Sequence, residues 1–266
     1  MKINCGSQLY TYRNSIKTEE DLRAIFGRLA SYGCSVAQWS GVRLDLGGKK
    51  LKEIGDDNGI IIPLSHTPWK KITEETERVA EWHLEAGAHT VGLGMMPMEY
   101  LKNKDKLKEF CDKANAISEK LKQYGLKFGY HNHSMEFKKM GDTLVLERLR
   151  DDCPDLEFIF DTFWCRYAGY DPTEWLGKLD GRVRDIHLKD WSPGILKLPR
   201  IRDVGKGKLD FGEILQKAEE SGTENALIEH DFTRNPDKTT RESMEYLKEN
   251  TPCERQNNRL LPCKRR

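Results

Sequence analysis

Apolar residues along this chain fall into short dense runs, separated by longer stretches in which Ala, Leu, Ile and Val recur at helical spacing. Dense short runs predict strands and the spaced pattern predicts helices. INCGSQLYTY, from residue 3, predicts the first strand; Thr18-Glu-Glu-Asp then starts an amphipathic helix that runs through Tyr32 and stops at Gly33. Val36 to Gly41 and the helical segment Leu46 to Asn58, closed by Gly59, repeat the pair. Ile60 to Pro68 (IIIPLSHTP) predicts a third strand, and ITEETERVAEWHLEAG a helix ending at Gly87, with His83 in its middle as a structural residue. Thr90 to Met95 is the fourth strand, with Asp105 to Tyr124 as its helix and Gly125 as its stop. The fifth is KFGYHNHSMEF, Lys127 to Phe137. There His131 and His133 sit on alternate residues, so in a strand they share a face.

The alternation continues. Thr143 to Arg150 is helical, Leu156 to Trp164 (LEFIFDTFW) is strongly β-prone, and Asp171-Pro172 opens a helix with proline in its first turn. Arg182 to Asp190 (RVRDIHLKD) is a seventh strand with its helix at Phe211 to Ser221, and Asn225 to Phe232 (NALIEHDF) an eighth with its helix at Asp237 to Lys248. Eight strand–helix units in about 250 residues predict a parallel sheet closed into a (β/α)8 TIM barrel, with a doubly wound open sheet as the alternative. No linker divides residues 1–250, which are expected to form a single catalytic barrel domain. Residues 251–266 (TPCERQNNRLLPCKRR) fit no further unit and are expected to be a basic, disordered tail.

Composition narrows the partners. Forty-four basic against forty-three acidic residues give a formal charge of +1, so no global field favours nucleic acid or an anionic membrane. No apolar run approaches the roughly 20 residues that span a bilayer, and the start lacks the core of a signal peptide, so a cytoplasmic protein is expected. The seven cysteines are scattered without a CxxC pair, which fits reduced thiols.

In such barrels, active sites lie at the C-terminal strand ends. Polar residues collect there: His66 on the third strand, His131 and His133 on the fifth, Asp161 on the sixth, His187, Lys189 and Asp190 on the seventh, and Glu229, His230 and Asp231 on the eighth. Each alone could cap a helix or bond a loop carbonyl. Gathered round one rim, they would be a costly concentration of desolvated polar groups unless a divalent cation compensated them. A mixed nitrogen and oxygen set suits Mn, Zn, Co or Fe over Ca.

GYHNHSMEF, FDTFW with AGYDPTEWL, IHLKDW, VGKGKLDFGEIL and LIEHDF, in this order and spacing, resemble the sugar phosphate isomerase/epimerase family of xylose isomerase-like barrels. The likeness runs from QLYTYR through the eighth strand. It implies a TIM barrel holding one divalent metal ion (Mn, Zn, Co, Fe or Mg) through ligands on the last four strands. Asp161, His187 and Glu229 match three ligand positions. Many members carry at the fifth strand a glutamate that serves both as ligand and as one of two opposed bases. Here that strand end reads Tyr130-His131-Asn132-His133, so His131 is the expected fourth ligand, with His133 facing substrate.

The implied activity is isomerisation or epimerisation of a sugar, sugar phosphate or keto-polyol, by proton abstraction α to a carbonyl through a metal-stabilised enediolate. Glu229 is the expected base, with His133 or Lys189 returning the proton. His66, Trp69, Trp164, Gln8 and Glu136 are candidate substrate contacts. The same framework could expel a β-hydroxyl, making the enzyme a lyase that dehydrates a keto-inositol or keto-sugar. Further alternatives are the trinuclear-zinc DNA-repair endonuclease of this barrel and a non-catalytic sugar-binding barrel. The former needs more histidines, whereas Met95 and Met96 end the fourth strand and Trp164 stands third after Asp161. Gly205-Lys206-Gly207 reads as a turn rather than a phosphate site, and no nucleotide-cofactor motif is present. The expected partner is a small sugar or polyol, with no nucleic acid and no membrane, and with homo-oligomerisation left open.

Overall fold

In the computed structural model, which describes residues 3–194 and 200–250, eight parallel strands alternate with helices. They are β1 (Asn4–Gln8), β2 (Val36–Gln38), β3 (Leu64–His66), β4 (Thr90–Leu93), β5 (Lys127–His131), β6 (Leu156–Asp161), β7 (Asp185–Leu188) and β8 (Asn225–Ile228). Their order is β2-β1-β8-β7-β6-β5-β4-β3. The seam between β2 and β3 is bridged by backbone N–H groups: Ala37 donates to Ile61 O (2.9 Å), Trp39 to Leu64 O (3.1 Å) and His66 to Trp39 O (2.9 Å). The sheet thus returns on itself as the expected (β/α)8 barrel. The tail expected at 251–266 lies outside the described residues.

The barrel is filled rather than hollow. Val36, Leu64, Ile159 and Leu227 form a buried cluster inside it, and glycines on neighbouring strands make room for them. A Cβ at Gly92 would lie 2.2 Å from the Ser65 carbonyl oxygen and 2.8 Å from the end of Ile159. A second, larger core lies between strands and helices. Helix Lys104–Lys122 contributes Leu107, Phe110, Ala114, Ile117 and Leu121, the spacing that puts one stripe of a helix inward. Truncating Phe110, fully buried, would cost about 3–5 kcal/mol. Helix Glu19–Tyr32 starts at a capping box between Thr18 and Asp21, and ends where Gly33 turns left-handed.

Several boundaries move from their expected places. The third strand is only Leu64–His66, because Pro63 cannot donate to a ladder and Ile61 is turned 59% out to solvent. β1 ends at Gln8, whose side-chain oxygen accepts from Tyr10 N at 2.6 Å and starts the 3-10 turn Leu9–Tyr12. Trp164 belongs not to a strand but to the short helix Thr162–Tyr167. Two antiparallel ribbons, Lys139–Met140 with Thr143–Leu144 and Asp190–Ser192 with Arg200–Arg202, are additions to the predicted pattern. Among the described residues no helix is long and apolar enough to cross a membrane.

Candidate metal centre

At the C-terminal end of the barrel His131, Asp161, His187 and Glu229 converge, all buried, with one ligand atom from each within 4.8 Å of the others. Neighbouring hydrogen bonds fix which atoms face inward. His131 Nδ1 lies 3.1 Å from the Gly94 carbonyl and donates to it, which turns Nε2 to Asp161 Oδ2 at 3.3 Å. His187 Nε2 lies 2.6 Å from Gln38 Oε1 and must likewise donate, leaving Nδ1 bare and 3.0 Å from Glu229 Oε2. Neither His187 Nδ1 nor Glu229 Oε2 makes a well-formed hydrogen bond, and the Lys189 ammonium stands 3.2 Å from the latter. Asp161 divides its oxygens. Oδ1 accepts from Trp164 N at 2.9 Å as a helix cap, and Oδ2 turns to the histidines. His187 Nδ1 and Glu229 Oε2 thus face each other as two acceptors in a buried place, and a divalent cation among the four side chains would relieve that arrangement. The donor set fits such an ion.

Lys189, 1% exposed, lies beside this cluster. Its Nζ is 3.3 Å from Asp161 Oδ2, 3.2 Å from Glu229 Oε2 and 3.0 Å from Asp231 Oδ1. Burial alone would push the Lys189 pKa down, but the three carboxylates outweigh it and hold the ammonium charged. Burial would raise the carboxyl pKa values too. The Lys189 ammonium nevertheless keeps that of Asp161 low and that of Glu229 far below its usual range. Asp231 is raised to about 6, mainly by burial. His133 is pushed down to about 3 by burial and by the neighbouring His131, so it is neutral at ordinary pH.

The loops brace the ligands. Asn132, between the two histidines, turns away from them and accepts from Asp161 N at 3.0 Å, tying β5 to β6. Asp190 is enclosed by the turn that follows it, accepting from Trp191 N, Gly205 N, Gly207 N, Lys208 N and Leu209 N. A Cβ at Gly207 would sit 2.2 Å from Asp190 Oδ1. The two-glycine loop thus cradles an internal carboxylate, and Lys189 pairs with Asp161 rather than with Asp190.

Of the expected substrate contacts, His66 stands with the cluster, its ring 5.2 Å from that of His131 and 5.5 Å from that of His187. His133 and Trp164 lie 5.3 Å apart, ring to ring, with Lys189 Nζ 5.7 Å from the Trp164 ring centre. Trp69 packs on Phe110 and Tyr100. Gln8 caps its own turn, and Glu136 has both oxygens engaged, by the Tyr130 hydroxyl (2.6 Å) and His133 N (2.7 Å). Four buried polar atoms at the strand ends and their loops, Gln38 Nε2, His66 Nε2, His133 Nδ1 and Trp164 Nε1, have no partner. From His66 a cavity of about 750 Å³ extends past Trp39, Trp82, Arg43 and Lys71. Gln38 and Asn132 belong to this centre without any signature in the sequence, and Asp231, one of the strand-end carboxylates, pairs with Lys189.

A model of the xylose isomerase-like TIM barrel family matches residues 26–250 of this chain. An inosose dehydratase of Clostridium perfringens is 27% identical over 125 residues, 45% of this chain and 38% of that protein. An inosose dehydratase of Clostridium beijerinckii is 25% identical over 171 residues, 58% of this chain and 57% of that protein. The chain thus matches well under two thirds of either relative's length. A sugar phosphate isomerase/epimerase of Parabacteroides distasonis shares the fold, with a TM-score of 0.77 at 24% identity over 93% of this chain and 94% of that one.

Proposed function

This chain belongs to the xylose isomerase-like TIM barrel family, and from that premise we propose that it is a divalent-metal-dependent lyase that dehydrates a polyhydroxylated keto compound such as a keto-inositol. The observation that carries the reading is the pairing of Glu229 Oε2 with Lys189 Nζ, 3.2 Å apart: a base and an acid on one side of one site. His131, Asp161, His187 and Glu229 would hold the cation, and their nitrogen and oxygen atoms suit Mn²⁺, Fe²⁺, Co²⁺ or Zn²⁺. When bound, such an ion supplies positive charge to a carbonyl oxygen and so acidifies the adjacent carbon–hydrogen bond.

Glu229, ionised throughout the neutral range, takes the proton from the carbon α to the carbonyl. Lys189 gives a proton to the hydroxyl on the β carbon, which leaves as water. The proton on Glu229 then passes to Lys189 and resets both groups. His133 is neutral, which supports Lys189 as the donor, with His133, His66, Gln38 and Trp164 binding hydroxyl groups. Epimerisation needs a second base on the opposite face. The residue at that position, His131, has one nitrogen on Gly94 O and the other turned to the cation site. Isomerisation shares the first proton transfer, and differs in that Lys189 would then protonate carbon.

The test is incubation of the metal-loaded protein with a keto-inositol in D₂O. Release of water with an unsaturated, ultraviolet-absorbing product is expected, and Glu229→Gln should lower its rate about 10²–10⁴-fold. Deuterium incorporation without loss of water would replace the lyase reading by isomerisation, and the absence of both would remove it.

A further inference from the structure

We propose that Gln38 decides which nitrogen of His187 faces the cation site, and that its free amide group then binds a substrate oxygen. The proposal deepens the metal-dependent reading above and rests on it for the second half. Gln38 ends β2 and is fully buried, as is His187 on β7. The two side chains meet across the barrel mouth from positions 149 residues apart, with Gln38 Oε1 2.6 Å from His187 Nε2.

An amide oxygen can only accept, so Nε2 carries the imidazole proton and Nδ1 presents its lone pair 3.0 Å from Glu229 Oε2 and 4.0 Å from Asp161 Oδ2. The reversed amide would put an N–H₂ group against Nε2. That nitrogen would have to accept, the proton would move to Nδ1, and His187 would donate to Glu229 instead of ligating. The orientation of one neutral side chain thus separates a ligand from a non-ligand. The remaining half of Gln38 is free to bind substrate. Nε2 is buried and has no partner, the condition shared by His66 Nε2, whose ring lies 5.5 Å from His187 on the neighbouring strand β3. Leaving a buried amide donor unmade costs about 1–3 kcal/mol. A substrate hydroxyl or carbonyl oxygen between Gln38 and His66 removes that cost, so the pair selects for an oxygen at that carbon.

Gln38 is therefore a positioning residue for the cation site and a binding residue for substrate, and three proteins separate the roles. In ¹⁵N spectra of the metal-free wild type, His187 should carry its proton on Nε2. Gln38→Leu should move it to Nδ1, and weaken Co²⁺ binding in a titration about 10–100-fold. Gln38→Glu keeps an acceptor at the same place but has no donors. It should retain the Nε2 proton and Co²⁺ affinity within a few-fold, while the KM for a keto-inositol rises at least tenfold with kcat little changed. A merely structural role would shift none of these selectively. A wild-type spectrum with the proton on Nδ1, or Gln38→Leu with unchanged tautomer and Co²⁺ affinity, overturns the first half, and Gln38→Glu with wild-type KM overturns the second. If Gln38→Leu fails to fold, the wild-type spectrum and Gln38→Glu still decide. Wild-type protein that takes up no divalent ion at all would refute the metal-dependent reading, and the tautomer measurement would stand apart from that failure.

Discussion

A lysine sealed from solvent beside four candidate metal ligands is the sharpest electrostatic fact about this molecule. Lys189 Nζ touches the same oxygens, Asp161 Oδ2 and Glu229 Oε2, that face His131 and His187. It neutralises part of the charge on buried Asp161 and Glu229 and on half-buried Asp231, and it stands close to the place a divalent ion would take. Like charges a few ångströms apart repel by several kcal/mol at an effective dielectric of about 20. Lys189→Met should therefore have opposite effects on two quantities. Metal-free protein should lose about 3–5 kcal/mol of stability, because Asp161, Glu229 and Asp231 are left without their cation. Mn²⁺ or Co²⁺ should bind more tightly than to wild type, as calorimetric titration would show, while the proposed dehydration slows. Weaker metal binding in Lys189→Met would mean that the ammonium holds the ligands in place rather than competing for them. At this scale the chain was legible where residues have distinctive chemistry. His131, Asp161, His187, Glu229 and Lys189 could be singled out as histidines, carboxylates and a lysine at strand ends. Gln38 and Asn132 could not, because an amide at the end of an apolar run has no signature until its partner is known.

Strands carry chemistry at both ends, and β7 shows this within five residues. His187 and Lys189 serve the C-terminal mouth, while Asp185 points into the opposite end, where it accepts from Asn225 Nδ2 at 2.8 Å. Burial, aided by Glu157 and opposed by the Asn225 hydrogen bond and Arg184, raises the Asp185 pKa to about 7, against an unfolded value near 3.8. Between those values the folded chain holds a proton that the unfolded chain has lost. Stability must then fall as pH rises, by up to ~1.4 kcal/mol per pH unit from this residue, and level off above pH ~7. Asp185→Asn keeps the acceptor and removes the ionisation. Thermal unfolding should show it more stable than wild type at pH 8, with the difference shrinking as the pH falls and closing only below pH ~3.8, and parallel curves would exclude the assignment. Elements were readable from periodicity because helix stripes and their glycine stops are local. Leu64–His66 was overextended because the sequence pattern counted the apolar Ile60–Ile62 run and not the missing Pro63 donor. The ribbon Asp190–Ser192 with Arg200–Arg202 has no local signature, because the turn beyond it is held by Asp190 gathering the amides of Gly205, Gly207, Lys208 and Leu209, a non-local cause.

For the molecule as a whole, the barrel is not uniformly clamped. The four candidate ligands lie on β5, β6, β7 and β8, so a cation ties consecutive strands across half of the wall. The far seam, β2 against β3, has only isolated bridges and the backbone bonds around Ala37, Trp39 and His66. A ligand that binds only the folded chain stabilises it by about 2.7 kcal/mol at a hundredfold excess over its Kd. For a domain of this size that is roughly 5–10 °C in Tm. The gain should be local as well as global. Hydrogen exchange should slow on adding Mn²⁺ at the amides of β5 to β8, whose openings separate the ligands. Amides of β2 and β3 should be protected less, because that seam can part without breaking any of the four contacts. Asp161→Asn should abolish both the Tm shift and the protection. Uniform protection round the barrel would show that the seam opens only with the whole, and no shift in the wild type would mean that Lys189 alone compensates Asp161 and Glu229 and that the four side chains hold no divalent ion.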